Sequence, residues 1–337
     1  MKKTRHINIP IFIPHRGCPH ACVFCNQKKI SGAKSYQSPV RVKKILEESF
    51  STISENNHVE IAFFGGSFTG ITEQEMKEYL ELAQPYLKTG KAAGIRLSTR
   101  PDTITPYILK ILKSYGVSAI ELGVQSLDPE VLFQSQRGHS VEDVERACSL
   151  IRESGIALGI QTMLGLPADD RNKAIRTAHE VIILKPDMIR IYPTLVIKET
   201  LLEEYYLNGK YTPLDLEQAV EWCADILPLY RDAGITVLRI GLQHSDILEG
   251  SIVAGPYHPA FGELVESRIL YKKMTDRLDS LQINKSEKII IRTRPELVSK
   301  LVGQKRTNIE AIKGKYSLRE IEVRADLKTG EFKIEIE

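Results

Sequence analysis

Runs rich in Ile, Val, Leu and Phe alternate along the chain with segments whose apolar residues recur at helical spacing. The apolar runs predict strands over 7–13, 59–64, 94–98, 119–124, 157–164, 187–192 and 235–240. Several are apolar on both faces, the pattern of a parallel sheet covered by helices. Helical periodicity fills the gaps, over 40–54, 73–87, 104–115, 141–154, 171–184 and 214–233. Ser140 before Val141, with Asp143 in the first turn, marks a helix start, and Gly155 marks its end. Six or seven such units on one sheet make a full or partial β/α barrel, or a doubly wound sheet.

After about residue 250 the rhythm changes. Gly255-Pro256-Tyr257-His258-Pro259 reads as a loop and 260–280 as a helix. A β-α-α-β-β pattern follows, with strands over 288–292, 319–324 and 332–336 and helices over 296–302 and 307–313. The division expected is a main domain over 1–250, a loop and connecting helix over 251–285, and a small α+β domain over 286–337.

Composition adds two things. With 42% hydrophobic and 26% charged residues the chain is globular, and it holds no apolar run of the roughly 18–20 residues a membrane span needs. A cytoplasmic protein with no membrane partner is expected. The net charge of +3 is unevenly spread: from Lys285 onward there are 13 basic and 9 acidic residues. A basic tail is consistent with a polyanion contact or with a solvated surface.

The five cysteines are no disulfide framework. Cys148 and Cys223 fall on the apolar stripes of predicted helices and read as buried small hydrophobes. Cys18, Cys22 and Cys25 stand in Cys18-Pro19-His20-Ala21-Cys22-Val23-Phe24-Cys25, directly after the first predicted strand. Three thiolates on one loop point to a shared metal centre. Zinc is one reading, with His15 or His20 as a fourth ligand. A 4Fe–4S cluster with one iron open to an exogenous ligand is the better match to three.

This spacing, with aromatic Phe24 before the last cysteine, resembles the signature of the radical S-adenosylmethionine (SAM) enzymes. The resemblance implies a partial (β/α)6 barrel and a cluster held by Cys18, Cys22 and Cys25. It also implies one-electron cleavage of SAM to a 5′-deoxyadenosyl radical. Phe63-Phe64-Gly65-Gly66-Ser67-Phe68-Thr69-Gly70 is similar to the superfamily's glycine motif, which places Gly65, Gly66 and Ser67 beside SAM.

Further runs are similar to the radical SAM domain of the Elongator catalytic subunit, and more loosely to oxygen-independent coproporphyrinogen oxidase. They are Ser98-Thr99-Arg100-Pro101-Asp102, Glu121-Leu122-Gly123-Val124-Gln125-Ser126, Arg137-Gly138-His139-Ser140, Leu164-Gly165-Leu166-Pro167 and Ile191-Tyr192-Pro193-Thr194. They imply SAM contacts at Gln125 and Arg137, joined by Ser98, where both families carry glutamate, and by Gln161, where the second carries aspartate. The sequence given ends at Glu337, which leaves little room for the Elongator subunit's acetyltransferase domain, so acetyl-CoA chemistry is not expected. Tyr192, Tyr257 and His258 are expected at the barrel mouth as candidate catalytic residues.

The tail resembles a KH domain, in which a G-x-x-G loop between two helices clamps a nucleic-acid backbone. Gly303-Gln304-Lys305-Arg306 stands in that place, with Arg instead of the second Gly. The resemblance implies RNA contacts at Arg294, Lys300, Gly303, Lys305 and Arg306. Together these readings predict a radical SAM enzyme that modifies tRNA or rRNA and draws electrons from a flavodoxin or ferredoxin. A small-molecule or protein substrate, or a non-enzymatic iron–sulfur RNA-binding protein, are the alternatives.

Overall fold

The structure, a computed structural model, describes residues 5–13, 16–26, 29–30, 37–54, 56–281 and 287–337. All seven strands expected in the main sheet are present. They are β1 (His6–Phe12), β2 (His58–Phe64), β3 (Gly94–Thr99), β4 (Val117–Gln125), β5 (Ala157–Leu164), β6 (Met188–Pro193) and, after a two-residue β7 (Val196–Ile197), β8 (Thr236–Ile240). Their order is β1-β2-β3-β4-β5-β6-β8, every neighbour parallel, and the sheet curls into a half-barrel.

Helices α1 (Pro39–Thr52), α2 (Glu73–Lys88), α3 (Pro106–Ser114), α4 (Pro129–Gln134), α5 (Val141–Ser154), α6 (Arg171–Ile183), α7 (Leu201–Leu207) and α8 (Leu216–Asp232) lie between the strands in sequence. Local chemistry sets their starts. Ser140 and Asp143 form the capping box of α5, and Gly155 closes it at φ 76°. Ser38, Thr105 and Asp128 cap α1, α3 and α4, each followed by a proline in the first turn. A four-residue α9 (Asp246–Glu249) and β9 (Ile252–Ala254), which pairs antiparallel with β7, complete this part.

Side chains alternate along each strand, and the two faces of the sheet differ. Ile95, Leu97, Ile120, Leu122, Leu158, Ile160, Ile189 and Ile191 form a buried apolar face. The other face is not apolar, as the sequence pattern had implied, but carries a ladder of charges. Glu60 on β2 accepts from Arg96 on β3 at 2.7 Å, and Arg96 reaches Glu121 on β4 at 3.1 Å. Glu121 meets Arg190 on β6 at 2.5 Å, and His6 on β1 meets Glu60 at 2.8 Å. Burial pushes the Glu60 carboxyl up, but Ser118, Arg96 and His6 more than reverse this and hold it below the usual range. Two strand glycines make room: a Cβ on Gly159 would sit 2.9 Å from Glu121 Cγ, and one on Gly94 would sit 2.3 Å from Ser118 Oγ.

The chain divides into two compact units, one running to Asp215 and including Leu229–Tyr257, the other formed by Leu216–Pro228 and His258–Glu337. The segment expected to connect the domains is thus shared out, and its far boundary at 285/286 lies outside the described residues. The second unit holds α10 (Phe261–Ser280), β10 (Lys288–Thr293), α11 (Val298–Val302), α12 (Thr307–Tyr316), β11 (Glu320–Arg324) and β12 (Phe332–Ile336). β10 is central, parallel to β11 and antiparallel to β12. Leu270, Met274 and Leu278 of α10 share one core with Ile289, Ile291, Leu301, Ile309 and Ile312. Among the described residues no helix is long and apolar enough to cross a membrane.

Candidate functional site

The loop after β1 and the loop after β2 pack backbone against backbone. Gly17, at φ 69°, lies so close to the second loop that a Cβ would sit 2.1 Å from the Ser67 carbonyl. A Cβ on Gly70 would fall 2.1 Å from the Gly17 carbonyl, and one on Gly66, at φ 70°, 2.4 Å from that of Arg16. The Ser67 amide donates to the Arg16 carbonyl at 2.8 Å. Only glycine permits such an approach. Below this seam the Ser67 hydroxyl is fully buried and bonds Thr99 at 2.8 Å, while Thr69 bonds Thr99 and Thr103 at 2.6 Å each. Ser67 therefore braces the glycine turn with its side chain.

Cys18, Cys22 and Cys25 form no disulfide and are partly buried on the first of these loops. Val23 and Phe24, the residues between the last two cysteines, are buried with Val131, Leu166, Val196, Leu202 and Tyr211. The Val23 amide donates to the Ser135 carbonyl at 3.2 Å, and the Leu202 amide donates to Val23 at 2.7 Å. Hydrophobic burial anchors the loop, and Cys22 and Cys25 pack partly buried against the same cluster. Cys148 and Cys223 are buried in α5 and α8; burial pushes the Cys148 thiol up to about 12, which makes it inert. His15 lies outside the described residues, and the ring of His20 packs on Gly138.

The other expected cofactor residues gather at the C-terminal ends of neighbouring strands. Gly65 and Gly66 follow β2, Ser98 is on β3, Gln125 ends β4 and Gln161 is on β5. Gln125 sits at φ 72° beside a bulge in the β4–β5 pairing, and its Oε1 accepts from Gln161 Nε2 at 3.2 Å. A bulge re-aims the side chain that follows it.

Arg137 joins these residues to the cysteines. It is 6% exposed, and its Nη1 donates to Cys22 Sγ at 2.9 Å. Nη2 donates to the Gly123 carbonyl, and the guanidinium lies 5.9 Å from the Phe24 ring centre. Arg100, whose Nε bonds Asp102 at 2.9 Å, holds the Arg137 carbonyl at 2.6 Å.

Among the described residues two buried donors here lack a hydrogen bond, Arg137 Nε and Arg100 Nη1. Burial, then Arg137 and Arg100, hold His139 down at about 3, so it is neutral at pH 7. Soft thiols on one loop, with no fourth cysteine beside them in sequence, and buried donors left over behind them suit a three-cysteine cluster and a polar ligand.

The candidate catalytic residues come from two parts of the sequence. Tyr192 lies on β6, where burial raises its phenol. Tyr257 bonds His244 Nδ1 at 2.7 Å, and His258 Nδ1 accepts from the Ala260 amide at 3.1 Å. In the second unit Gly303 is at φ 78°, with Lys305 and Arg306 exposed at φ 49° and 65°. Lys300 is half-buried, and Arg294 pairs with Glu296 at 3.0 Å.

Sequence reasoning did not single out Gly17, Gly70, Thr99, Thr103, Arg100 or His244. Thr99 and Arg100 lay within one recognised motif, Gly70 closes the run of the glycine motif, and Gly17 directly precedes Cys18, so these four left a signal. A cavity of about 480 Å³ is lined by Leu166 of the recognised Leu164–Pro167 run together with Gln134, Asp169, Tyr205, Lys210 and Tyr211, which had no signal. Burial pushes Asp169 up to about 7, although the Gly165 amide donates to it at 2.8 Å.

The comparisons with known proteins agree with this geometry. The sequence profile of the radical SAM superfamily matches residues 12–181, and that of the radical SAM C-terminal domain matches 186–271. The chain is 30% identical over 239 residues to an uncharacterized protein of Methanocaldococcus jannaschii, covering 67% of this chain and 72% of that one. It is 27% identical over 283 residues to the tRNA uridine(34) acetyltransferase of the same archaeon, covering 69% of this chain and 52% of the relative. The chain therefore spans about half of that relative's length. Among solved structures, that of Elp3 from Methanocaldococcus infernus superposes with a TM-score of 0.63 at 23% identity, covering 81% of this chain and 63% of that one. That likeness is one of fold. With a profile match over half its length, on the strands and loops that carry the three thiols, this chain belongs to the radical SAM superfamily of enzymes, whose cofactors are a 4Fe–4S cluster and S-adenosylmethionine.

Proposed function

We propose that this enzyme modifies RNA, with tRNA as the favoured substrate. Cys18, Cys22 and Cys25 would hold the cluster, which when bound would supply the electron for reductive cleavage of SAM. Gly65, Gly66, Ser98, Gln125, Arg137 and Gln161 line SAM; Ser67 and Phe24 support that site through Gly66 and Arg137. A flavodoxin or ferredoxin supplies the electron.

The observation that carries the RNA reading is the turn at Gly303. Lys305 and Arg306 are consecutive cations at positive φ, exposed between two helices in a β-α-α-β-β unit. This supports the reading of a KH-like backbone clamp, with Arg306 taking the left-handed conformation usual for glycine. The relative named for a tRNA uridine supports the same direction. The surplus of charge in the tail is a weaker support. Lys288, Arg292 and Arg324 pair with Glu322, Glu335 and Glu322 within the unit, at 3.1, 3.0 and 2.7 Å.

Two measurements test the proposal. Anaerobically reconstituted protein is expected to hold about four irons per chain and to release 5′-deoxyadenosine with dithionite; Cys22→Ala is expected to abolish both. Replacing Lys305 and Arg306 with Ala is expected to weaken RNA binding and flatten its salt dependence, because fewer counterions are released. Equal affinity and equal salt slope in the double variant would move the substrate to a small molecule or a protein.

A further inference from the structure

We propose that Arg137 sets the reduction potential of the cluster through its hydrogen bond to Cys22, so that this side chain tunes the electron transfer as well as lining SAM. The inference rests on the assignment of the cluster to Cys18, Cys22 and Cys25.

The side chain is held at both ends. At its tip Nη1 reaches Cys22 Sγ at 2.9 Å and Nη2 the Gly123 carbonyl, with the guanidinium over Phe24. At its root the Arg137 carbonyl is fixed by Arg100, which Asp102 holds through two bonds of 2.9 and 3.2 Å. A guanidinium so braced cannot swing off the sulfur without breaking contacts on two strands' loops and stranding buried donors.

The chemistry follows from charge. Reduction places one more electron on a cluster whose cysteines already share negative charge. A donor on a ligating sulfur stabilises the reduced form more than the oxidised one and raises the potential. The guanidinium carries a full positive charge and is itself buried, so water screens its interaction with the sulfur little. His139, neutral next to Arg137, adds no competing charge. Nε is the one guanidinium nitrogen without a partner among the described residues. It is the donor left for the ligand, so a single side chain addresses both cofactors.

The test is an EPR-monitored redox titration of the cluster without SAM, comparing the reconstituted wild type with Arg137→Met and Arg137→Lys. In Arg137→Met the equilibrium between reduced and oxidised cluster is expected to shift at least tenfold toward oxidised, 59 mV for one electron. Arg137→Lys is expected to recover part of the shift. An Arg137→Met protein with the wild-type iron content and an unchanged midpoint would overturn the proposal. A second measurement needs no variant: wild type grown with 15N-arginine is expected to show a nitrogen hyperfine coupling in pulsed EPR of the reduced cluster, and its absence would also overturn the proposal. Wild type without any cluster would instead overturn the cofactor assignment.

Discussion

Gly66 and Gly303 both sit at positive φ, 70° and 78°, and each opens a turn that runs into a helical segment. Their downstream neighbours differ. After Gly66 come Ser67, Phe68 and Thr69, all buried, with both hydroxyls tied to Thr99 and with another backbone against the turn. After Gly303 come Gln304, Lys305, Arg306 and Thr307, all exposed. One glycine lets two chains touch, and the other lifts two cations into solvent. A glycine at a strand or helix end is thus an incomplete signal. The residues after it decide: small hydroxyls and an aromatic ring for a seam, charges for a presented loop.

The largest effect is expected where a side chain would enter the seam. Gly66→Ala combines a left-handed conformation with a backbone carbonyl 2.4 Å from the new Cβ. It is expected to cost about 2 kcal/mol or more, read as a lowered urea midpoint, and to abolish cluster loading. A variant as stable as wild type would mean that the two loops are not rigidly seated.

The dryness of the buried side of the contrast is read by pH. His139 stays neutral down to about 3, whereas in the unfolded chain it takes up a proton near its ordinary 6.5. The unfolded state therefore binds more protons between those values, and stability falls as pH drops through that window. Asp169, held up at about 7, acts with the opposite sign: its contribution is present at low pH and is lost as pH rises toward 7. The two slopes oppose each other in the wild type, so the informative quantity is a difference. His139→Gln is expected to change the stability gap to wild type by about 1.4 kcal/mol per pH unit between pH 6 and 4. Parallel stability curves would show that water reaches the ring.

The smallest effect belongs to the exposed turn. Arg306→Gly relieves a left-handed arginine and is expected to stabilise the protein by up to about 1 kcal/mol. In an RNA-binding assay the same change is expected to lower affinity and reduce the salt slope. Higher stability with unchanged RNA binding would leave the loop as architecture alone.

Much of this was legible in the sequence because the signals are local and long. Seven apolar runs gave seven strands, and Ser140, Asp143 and Gly155 bracketed α5 as read. The cysteine triplet and the Gly-Gly turn fell where the family pattern placed them. α4, α7, α9 and the β7–β9 pair are too short for periodicity to register. The charge ladder was hidden for a different reason. Glu60, Arg96, Glu121 and Arg190 are single charges in apolar strands, and their meaning depends on which strands are neighbours. Gly17 and Gly70 stand at the edges of recognised motifs, but their role cannot be read until the two loops are seen to touch.

Gly159 gives the sheet a means of proofreading itself. Glu121 and Arg190 belong to strands that are not adjacent, and they meet across β5 only while the bare position lies between them. Slide β5 by one residue and Leu158 or Ile160 fills that window, turned to the wrong face. Arg190 would then lose its carboxylate while Glu121 kept only Arg96, a loss of up to about 3–5 kcal/mol for a broken buried pair. Gly94 repeats the device between β2 and β4, where Ser118 reaches Glu60 at 2.6 Å. Strands built from Ile, Val and Leu offer many near-equivalent threadings; two missing side chains leave one.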